Sequence, residues 1–169
     1  MLLTILPKLH VGVPSLKKTQ NVSYLFKFKA WEYDIDKDQD DWNKLTGLKS
    51  KFFSPTEEAY MIAWRWYKGK LQLAPYINQD NKFILPTEDE IITLDNPEDS
   101  FTAEVYVGGD NVIMRVSTTN SNKYLVTKTA KFNVKPKWEV SFWFGGNRLP
   151  NKTIQVYRWV NGAANKINF

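Results

Sequence analysis

Apolar residues recur at every second position along most of this 169-residue chain, the period of an extended strand with one face in a core. Val22, Tyr24, Phe26, Phe28 and Ala30 alternate with Ser23, Lys27 and Lys29. Phe101, Ala103, Val105 and Val107 alternate with Thr102, Glu104 and Tyr106, then run through Gly108-Gly109-Asp110-Asn111 into Val112, Met114 and Val116, which alternate with Ile113, Arg115 and Ser117. This predicts a hairpin whose glycines supply positive φ in the turn. A second hairpin is expected from Ala59–Tyr67 and Lys70–Ile77 through Lys68-Gly69. Two more strands are expected at Trp138–Phe144 and Thr153–Trp159, separated by Gly145-Gly146-Asn147-Arg148-Leu149-Pro150. Only Asp40–Leu48 offers a helical turn or two.

Roughly eight to ten one-sided strands must find a second layer to bury their apolar faces. The simplest solution is an all-β, antiparallel two-sheet β-sandwich of jelly-roll type, with an open barrel as the alternative. No repeat, linker or composition shift divides the chain, so residues 21–169 are read as one domain. Residues 1–20, which contain Pro7 and Pro14, are read as an N-terminal arm or edge strand, because proline removes a ladder donor.

Composition narrows the function. At 43% hydrophobic and 15% aromatic the chain is too rich in core-forming residues for a disordered tail. It has no Cys, which excludes a disulfide scaffold, Cys-ligated zinc, iron–sulfur chemistry and a thiol nucleophile. A single histidine, His10, excludes a multi-histidine metal site within one chain, and no cofactor is expected. No apolar stretch is long enough to span a membrane, and the first residues carry neither a basic n-region nor a small-residue cleavage site. Neither membrane insertion nor export by a signal peptide is therefore expected.

The net charge of +5 hides an uneven distribution. Residues 83–110 carry eight acids and no Lys or Arg, whereas residues 111–169 carry ten bases against the single acid Glu139. Two readings follow: opposed charged faces suited to protein partners or to a second copy, or blocks that intermix on folding. The bases of 123–158, with Tyr124, Phe132 and Trp138 among them, offer phosphate contacts and stacking. No nucleic-acid motif accompanies them, so nucleic acid is not the expected partner.

Asp34–Asp41 offers alternating carboxylates, but an EF-hand register fails. Starting at Asp34 its sixth and twelfth places hold Gln39 and Leu45, and starting at Asp36 they hold Asp41 and Gly47. It is read as a solvated acidic loop with no metal. Glu57-Glu58 and Glu88-Asp89-Glu90 sit at turns beside Pro55 and Pro86, where acids are solvated rather than paired across a cleft. Tyr60, Ile62, Trp64 and Trp66 share one strand face, and Met61, Ala63, Arg65 and Tyr67 share the other. If the tryptophan face is buried it is core. If it lines a groove, its rings stack on sugars while Arg65 or Tyr76 bonds hydroxyls.

Two stretches carry a resemblance: Ala59-Tyr60-Met61-Ile62-Ala63-Trp64-Arg65-Trp66 before a hairpin, and Trp143-Phe144-Gly145-Gly146-Asn147 before a Pro and a closing strand. With Phe26-Lys27-Phe28 and Asn43-Lys44-Leu45-Thr46-Gly47 in the same order, nearly the whole chain resembles a family of small β-sandwich proteins of bacteriophages and bacterial mobile elements. That family is similar to the concanavalin-like jelly roll of legume lectins and glucanases, shared by glycan-binding modules and some polysaccharide lyases. The chain departs from it where relatives carry Ser-Ala-Arg and Pro-His-Asp, having Ala59-Tyr60-Met61 and Pro150-Asn151-Lys152 instead. Sites using that Arg, His or Asp are lost, and with the only His in the N-terminal arm a lyase is disfavoured. The resemblance implies a protein of the virion or of the host bacterial cytoplasm, binding rather than catalysing and docking on other virion or host proteins. The alternatives are a lectin-like glycan-binding module, a polysaccharide-acting enzyme, and an inhibitor of a host defence factor. The candidate binding residues are Trp64, Arg65, Trp66, Tyr76, Trp143, Asn147 and Arg148.

Overall fold

The computed structural model describes residues 2–5, 11–12, 15–30, 41–54, 57–96, 98–119, 123–145 and 153–160. Strands are numbered in chain order. The first sheet runs β1 (Leu2–Ile5), β14 (Ile154–Val160), β3 (Asn21–Ala30), β9 (Phe101–Gly108), β10 (Asn111–Thr118), β11 (Tyr124–Lys131). The second runs β2 (Val11–Gly12), β13 (Trp143–Phe144), β4 (Asn43–Lys49), β5 (Glu58–Tyr67), β6 (Lys70–Gln79), β7 (Lys82–Ile84). Two short strands, β12 (Trp138–Val140) and β8 (Ile92–Thr93), pair with β4 and β6. Neighbours are antiparallel throughout, and the two sheets form a β-sandwich of jelly-roll type.

Turn chemistry sets the registers. Tyr67 pairs with Lys70, leaving Lys68 and Gly69 as a two-residue turn with φ of 49° and 73°, the left-handed pair that matches the twist of a hairpin. Asp80 and Asn81 close β6 onto β7 in the same way, at φ 53° and 58°, a conformation these side chains tolerate. In the Gly108-Gly109-Asp110-Asn111 turn only Gly109 needs a positive φ, of 60°.

The alternation read in the sequence becomes the interface between the sheets. Val22, Tyr24, Phe26 and Phe28 of β3, Phe101, Ala103 and Val105 of β9, and Val112, Met114 and Val116 of β10 face Tyr60, Ile62 and Trp64 of β5. The Trp64 ring packs edge-on to Phe28 at 4.9 Å between ring centres and lies against Phe142 and Phe144 at 6.2 and 5.9 Å. Phe26 stacks on Phe101 at 5.8 Å.

Two expectations are corrected. Most of the stretch Asp40–Leu48 that offered helical turns belongs to strand β4, Asn43–Lys49. A bulge between Lys44 and Thr46 carries both Leu45 and Leu48 into the core, and their spacing of three is what looked helical. The expected strand Trp138–Phe144 is two short strands, β12 and β13, both paired with β4.

The charge blocks intermix. Glu104 of β9 pairs in register with Arg115 of β10 and accepts hydrogen bonds from Ser23 and Tyr124 at 3.2 and 3.1 Å. Glu90 pairs with Lys128 where the sheet edges meet. Burial alone would raise the Glu90 carboxyl, but its bonds from Lys128 and Thr87 hold it below its ordinary value. Between the sheets, buried Glu139 accepts from Tyr24 Oη at 3.0 Å and from Arg158 at 3.3 Å. Among the described residues the two segments therefore mix their charges rather than forming opposed acidic and basic faces.

Buried Glu58 ties the loop after β11 to the second sheet. It accepts from Tyr60 Oη at 2.8 Å and from the backbone N–H groups of Asn133 and Val134 at 2.5 and 2.9 Å. Burial, followed by this hydrogen bond to a carboxylate, pushes the Tyr60 hydroxyl far above its ordinary value. A phenol held protonated in the fold stabilises it fully below the unfolded value of about 10, and that contribution is lost as pH rises further. The urea midpoint is therefore expected to fall between pH 8 and pH 11, and to fall less in Tyr60→Phe. Equal falls would remove Tyr60 from the explanation.

Candidate binding face

Strand parity separates the two faces of β5. Tyr60, Ile62 and Trp64 point into the sandwich, so Ala59, Met61, Ala63, Arg65 and Tyr67 point outward from the second sheet. Register places their neighbours. Gly47 and Lys49 of β4 stand beside Met61 and Ala59, and Asn78, Tyr76, Ala74 and Gln72 of β6 stand beside Ala59, Met61, Ala63 and Arg65. Phe83 of β7 pairs with Asn78, Thr93 of β8 with Gln72, Trp138 and Val140 of β12 with Lys49 and Gly47, and Trp143 of β13 with Lys44.

The centre of this face is a buried packed layer: Gly47, Ala59, Ala63 and Ala74 with Met61 and Val140, and Tyr76 packed against it. Large rings stand around it. On the β7 side Phe83, 61% exposed, meets Tyr76 at 6.2 Å. On the β12 side Trp138 packs edge-on to Phe52 at 4.8 Å, with Phe53 against Phe52 at 4.5 Å. Four inter-strand steps of about 4.8 Å put these two groups of rings about 19 Å apart.

Polar groups are fixed at the other end of the face. The Arg65 guanidinium lies 4.4 Å from the ring centres of both Trp42 and Tyr67, and its Nε donates to Gln72 Oε1 at 2.8 Å. Gln72 Nε2 in turn donates to Thr93 Oγ1 at 3.2 Å. Trp143 is 42% exposed, with Lys44 Nζ 5.8 Å from its ring centre. Its indole folds back over Gly145, where a Cβ would meet Nε1 at 1.8 Å. Asn43 Oδ1 accepts from the Gly145 N–H at 3.1 Å and fixes that turn.

Of the residues singled out from sequence, Arg65, Tyr76 and Trp143 come together on this face. Trp64 does not: it is fully buried between the sheets and is a core residue. Trp66 shares its inward parity and packs partly buried against the same core, so neither ring is a platform for a ligand. Asn147 and Arg148 lie outside the described residues, as do His10 and positions 34–40 of the acidic loop. Among the described residues no three His, Cys, Asp or Glu side chains group as metal ligands. Among the described residues the basic stretch 123–158 makes no continuous surface: Lys128 and Arg158 are held by Glu90 and Glu139, Phe132 packs on the core, and Tyr124 and Trp138 belong to different sheets. Lys44, Lys49, Trp42, Gln72 and Phe83 are members of the face that sequence reasoning did not select, and Trp138 was singled out only for stacking on nucleic-acid bases.

No protein-family model and no curated protein matches the chain. Among solved structures it is similar to the exoplasmic/lumenal domain of VIP36 in its Ca2+/Man-bound form, at 10% identity and a TM-score of 0.42, over 92% of this chain and 80% of that one. It is also similar to domain 4 of AbnA, a GH43 extracellular arabinanase from Geobacillus stearothermophilus in complex with arabinotriose, at 6% identity and a TM-score of 0.36, over 88% of this chain and 66% of that one.

Proposed function

We propose that the protein binds carbohydrate on the outer face of its second sheet, without turning it over. One observation carries this reading: the exposed rings of Phe83 and Trp143 and the half-buried rings of Tyr76 and Trp138 share one sheet face with the planar polar groups fixed at Arg65 and Gln72. A sugar ring presents an apolar C–H face and a rim of hydroxyls. It needs both an aromatic surface and pre-positioned donors and acceptors, and this face supplies the two side by side.

Trp143→Ala and Tyr76→Ala are each expected to weaken binding about tenfold, the equivalent of about 1.4 kcal/mol of lost ring contact. A glycan array finds the ligand, and calorimetry with the two variants locates it. Because Trp143 is exposed, its loss leaves the core intact, and ligand should change the intrinsic fluorescence in the wild type more than in Trp143→Ala. An array without any bound glycan overturns the reading, and turnover of the bound glycan overturns its non-catalytic part.

A protein partner is the second reading, favoured by the β7 edge. This terminal strand of the sheet carries Phe83, Ile84 and then Leu85, exposed by 61%, 43% and 63%, and an open edge with apolar side chains accepts an added strand. In the bacteriophage setting implied by the resemblance, that partner is another virion or host protein. Mass spectrometry of purified particles tests it: a fixed ratio to the major shell protein supports it, and absence from the particles removes the virion role.

A further inference from the structure

The candidate face holds two lysines that no carboxylate of the described residues neutralises. Lys44 is partly buried beside Trp143. Lys49, also partly buried and on the same strand, donates from Nζ to the Phe52 carbonyl oxygen at 2.7 Å. Among the described residues neither forms an ion pair; the pairs present are Lys51–Glu57, Lys128–Glu90 and Arg158–Glu139. Arg65 adds a third cation on the same face, stacked between Trp42 and Tyr67. Asp41 is the acid that acts on this region from the described chain, and its effect is felt at Tyr76, whose hydroxyl is raised first by burial and then by that charge.

Leaving an ammonium half-desolvated beside a like charge is unfavourable, and both effects act on Lys44: burial pushes it below the ordinary lysine value and Lys49 pushes it further. An anion bound at the Lys44 ammonium, within the field of Lys49, would offset both. A partly buried ammonium costs desolvation that a leucine or methionine in its place would not. Their position matters as much as their charge, because Lys44 pairs in register with the exposed Trp143 ring, so a group held by the ammonium has an aromatic surface at hand for the ring that bears it.

Resting on the carbohydrate reading above, we propose that the ligand is an acidic carbohydrate. Its carboxylate or sulfate sits at Lys44 and Lys49, and its sugar ring lies against Trp143. Binding then raises the Lys44 ammonium back toward its ordinary value, takes up a proton at alkaline pH, and weakens with added salt as charge-assisted contacts do.

The test is calorimetry with matched polysaccharides: polygalacturonate and alginate against their carboxyl-reduced forms, and heparin against its desulfated form. The acidic member of at least one pair is expected to bind ten times or more tighter than its neutral counterpart. Lys44→Gln with Lys49→Gln should abolish that preference, and Lys44→Arg should retain it. The carboxylate and sulfate pairs distinguish the two sources of charge. Equal binding of acidic and neutral forms, or a preference that survives the double substitution, overturns the inference while the carbohydrate reading stands. Absence of binding to either member of every pair, with neutral glycans bound on the array, likewise overturns the inference alone; absence of both overturns the two together.

Discussion

Trp64→Ala is expected to cost about 3–5 kcal/mol of folding stability, the range for removing a large aromatic from a packed core. The indole is fully buried and touches Phe28 from the first sheet and Phe142 and Phe144 from its own. Those rings cannot collapse into the space together, since each is held by a different strand or strand junction, so most of the cavity remains. Trp64→Phe should cost much less. It keeps a ring between the sheets and removes Nε1, a buried donor with no hydrogen-bond partner, whose desolvation is a standing penalty in the wild type. Urea unfolding of the three proteins measures the difference if the transition is two-state. A loss below about 1 kcal/mol in Trp64→Ala, the ordinary effect of a point substitution, would mean that the ring is not the keystone of the core, and would reopen the possibility that it serves a ligand.

That distinction is what the sequence could not make for β5. Ala59-Tyr60-Met61-Ile62-Ala63-Trp64-Arg65-Trp66 is apolar on both parities, because one parity faces the sandwich core and the other a packed outer floor. Period-two reasoning assigns residues to faces but does not say which face is inside when both are apolar. Size was the usable signal. The outward parity of β5 is small at Ala59 and Ala63, the facing strands add Gly47 and Ala74, and the inward parity holds Tyr60, Ile62 and Trp64. Strands β3, β9 and β10 posed no such difficulty, since polar residues mark their outer parity and the core face follows.

The site was less legible than the sheets because it is assembled across them. Lys44, Arg65, Tyr76, Trp138 and Trp143 come from five strands spread over a hundred residues of chain, and only the order β13-β4-β5-β6, with β12 beside β4, makes them neighbours. Arg65 and Tyr76 were selected for their chemistry, and Trp143 for the motif that carries it. Lys44 and Lys49 sit in a stretch whose bulge disguised it as helical, so their common face was not visible before the register was known. The charge blocks failed for a related reason: residues 83–110 and 111–169 contribute adjacent strands of one sheet, β9 and β10, so their charges meet across a ladder.

Gly47→Ala is expected to be the most damaging single-methyl change in the molecule. A Cβ at this position would lie 2.2 Å from the Tyr60 carbonyl oxygen, 2.7 Å from Met61 Cα and 2.9 Å from Met61 Cγ. Two of those three atoms are backbone, so no change of rotamer relieves the contact, and β4 must move away from β5. Overpacking that side chains can absorb costs about 1–3 kcal/mol; a clash that separates two central strands belongs at or above the top of that range. For a chain of this size a loss of about 3 kcal/mol lowers the midpoint by roughly 6–12 °C. Gly69→Ala and Gly109→Ala are the controls. They have open space around the added methyl but positive φ of 73° and 60°, which costs about 1–2 kcal/mol by backbone strain alone. The expected order is therefore Gly47→Ala well below both controls in thermal midpoint. The same methyl would stand beside Met61 and Val140 and displace β4, which carries Lys44 and pairs with the strands of Trp138 and Trp143, so any Gly47→Ala protein that stays folded at low temperature should also bind carbohydrate more weakly, whereas the two turn variants should keep it. A Gly47→Ala protein as stable as the turn variants would show that β4 and β5 are farther apart than this close approach requires.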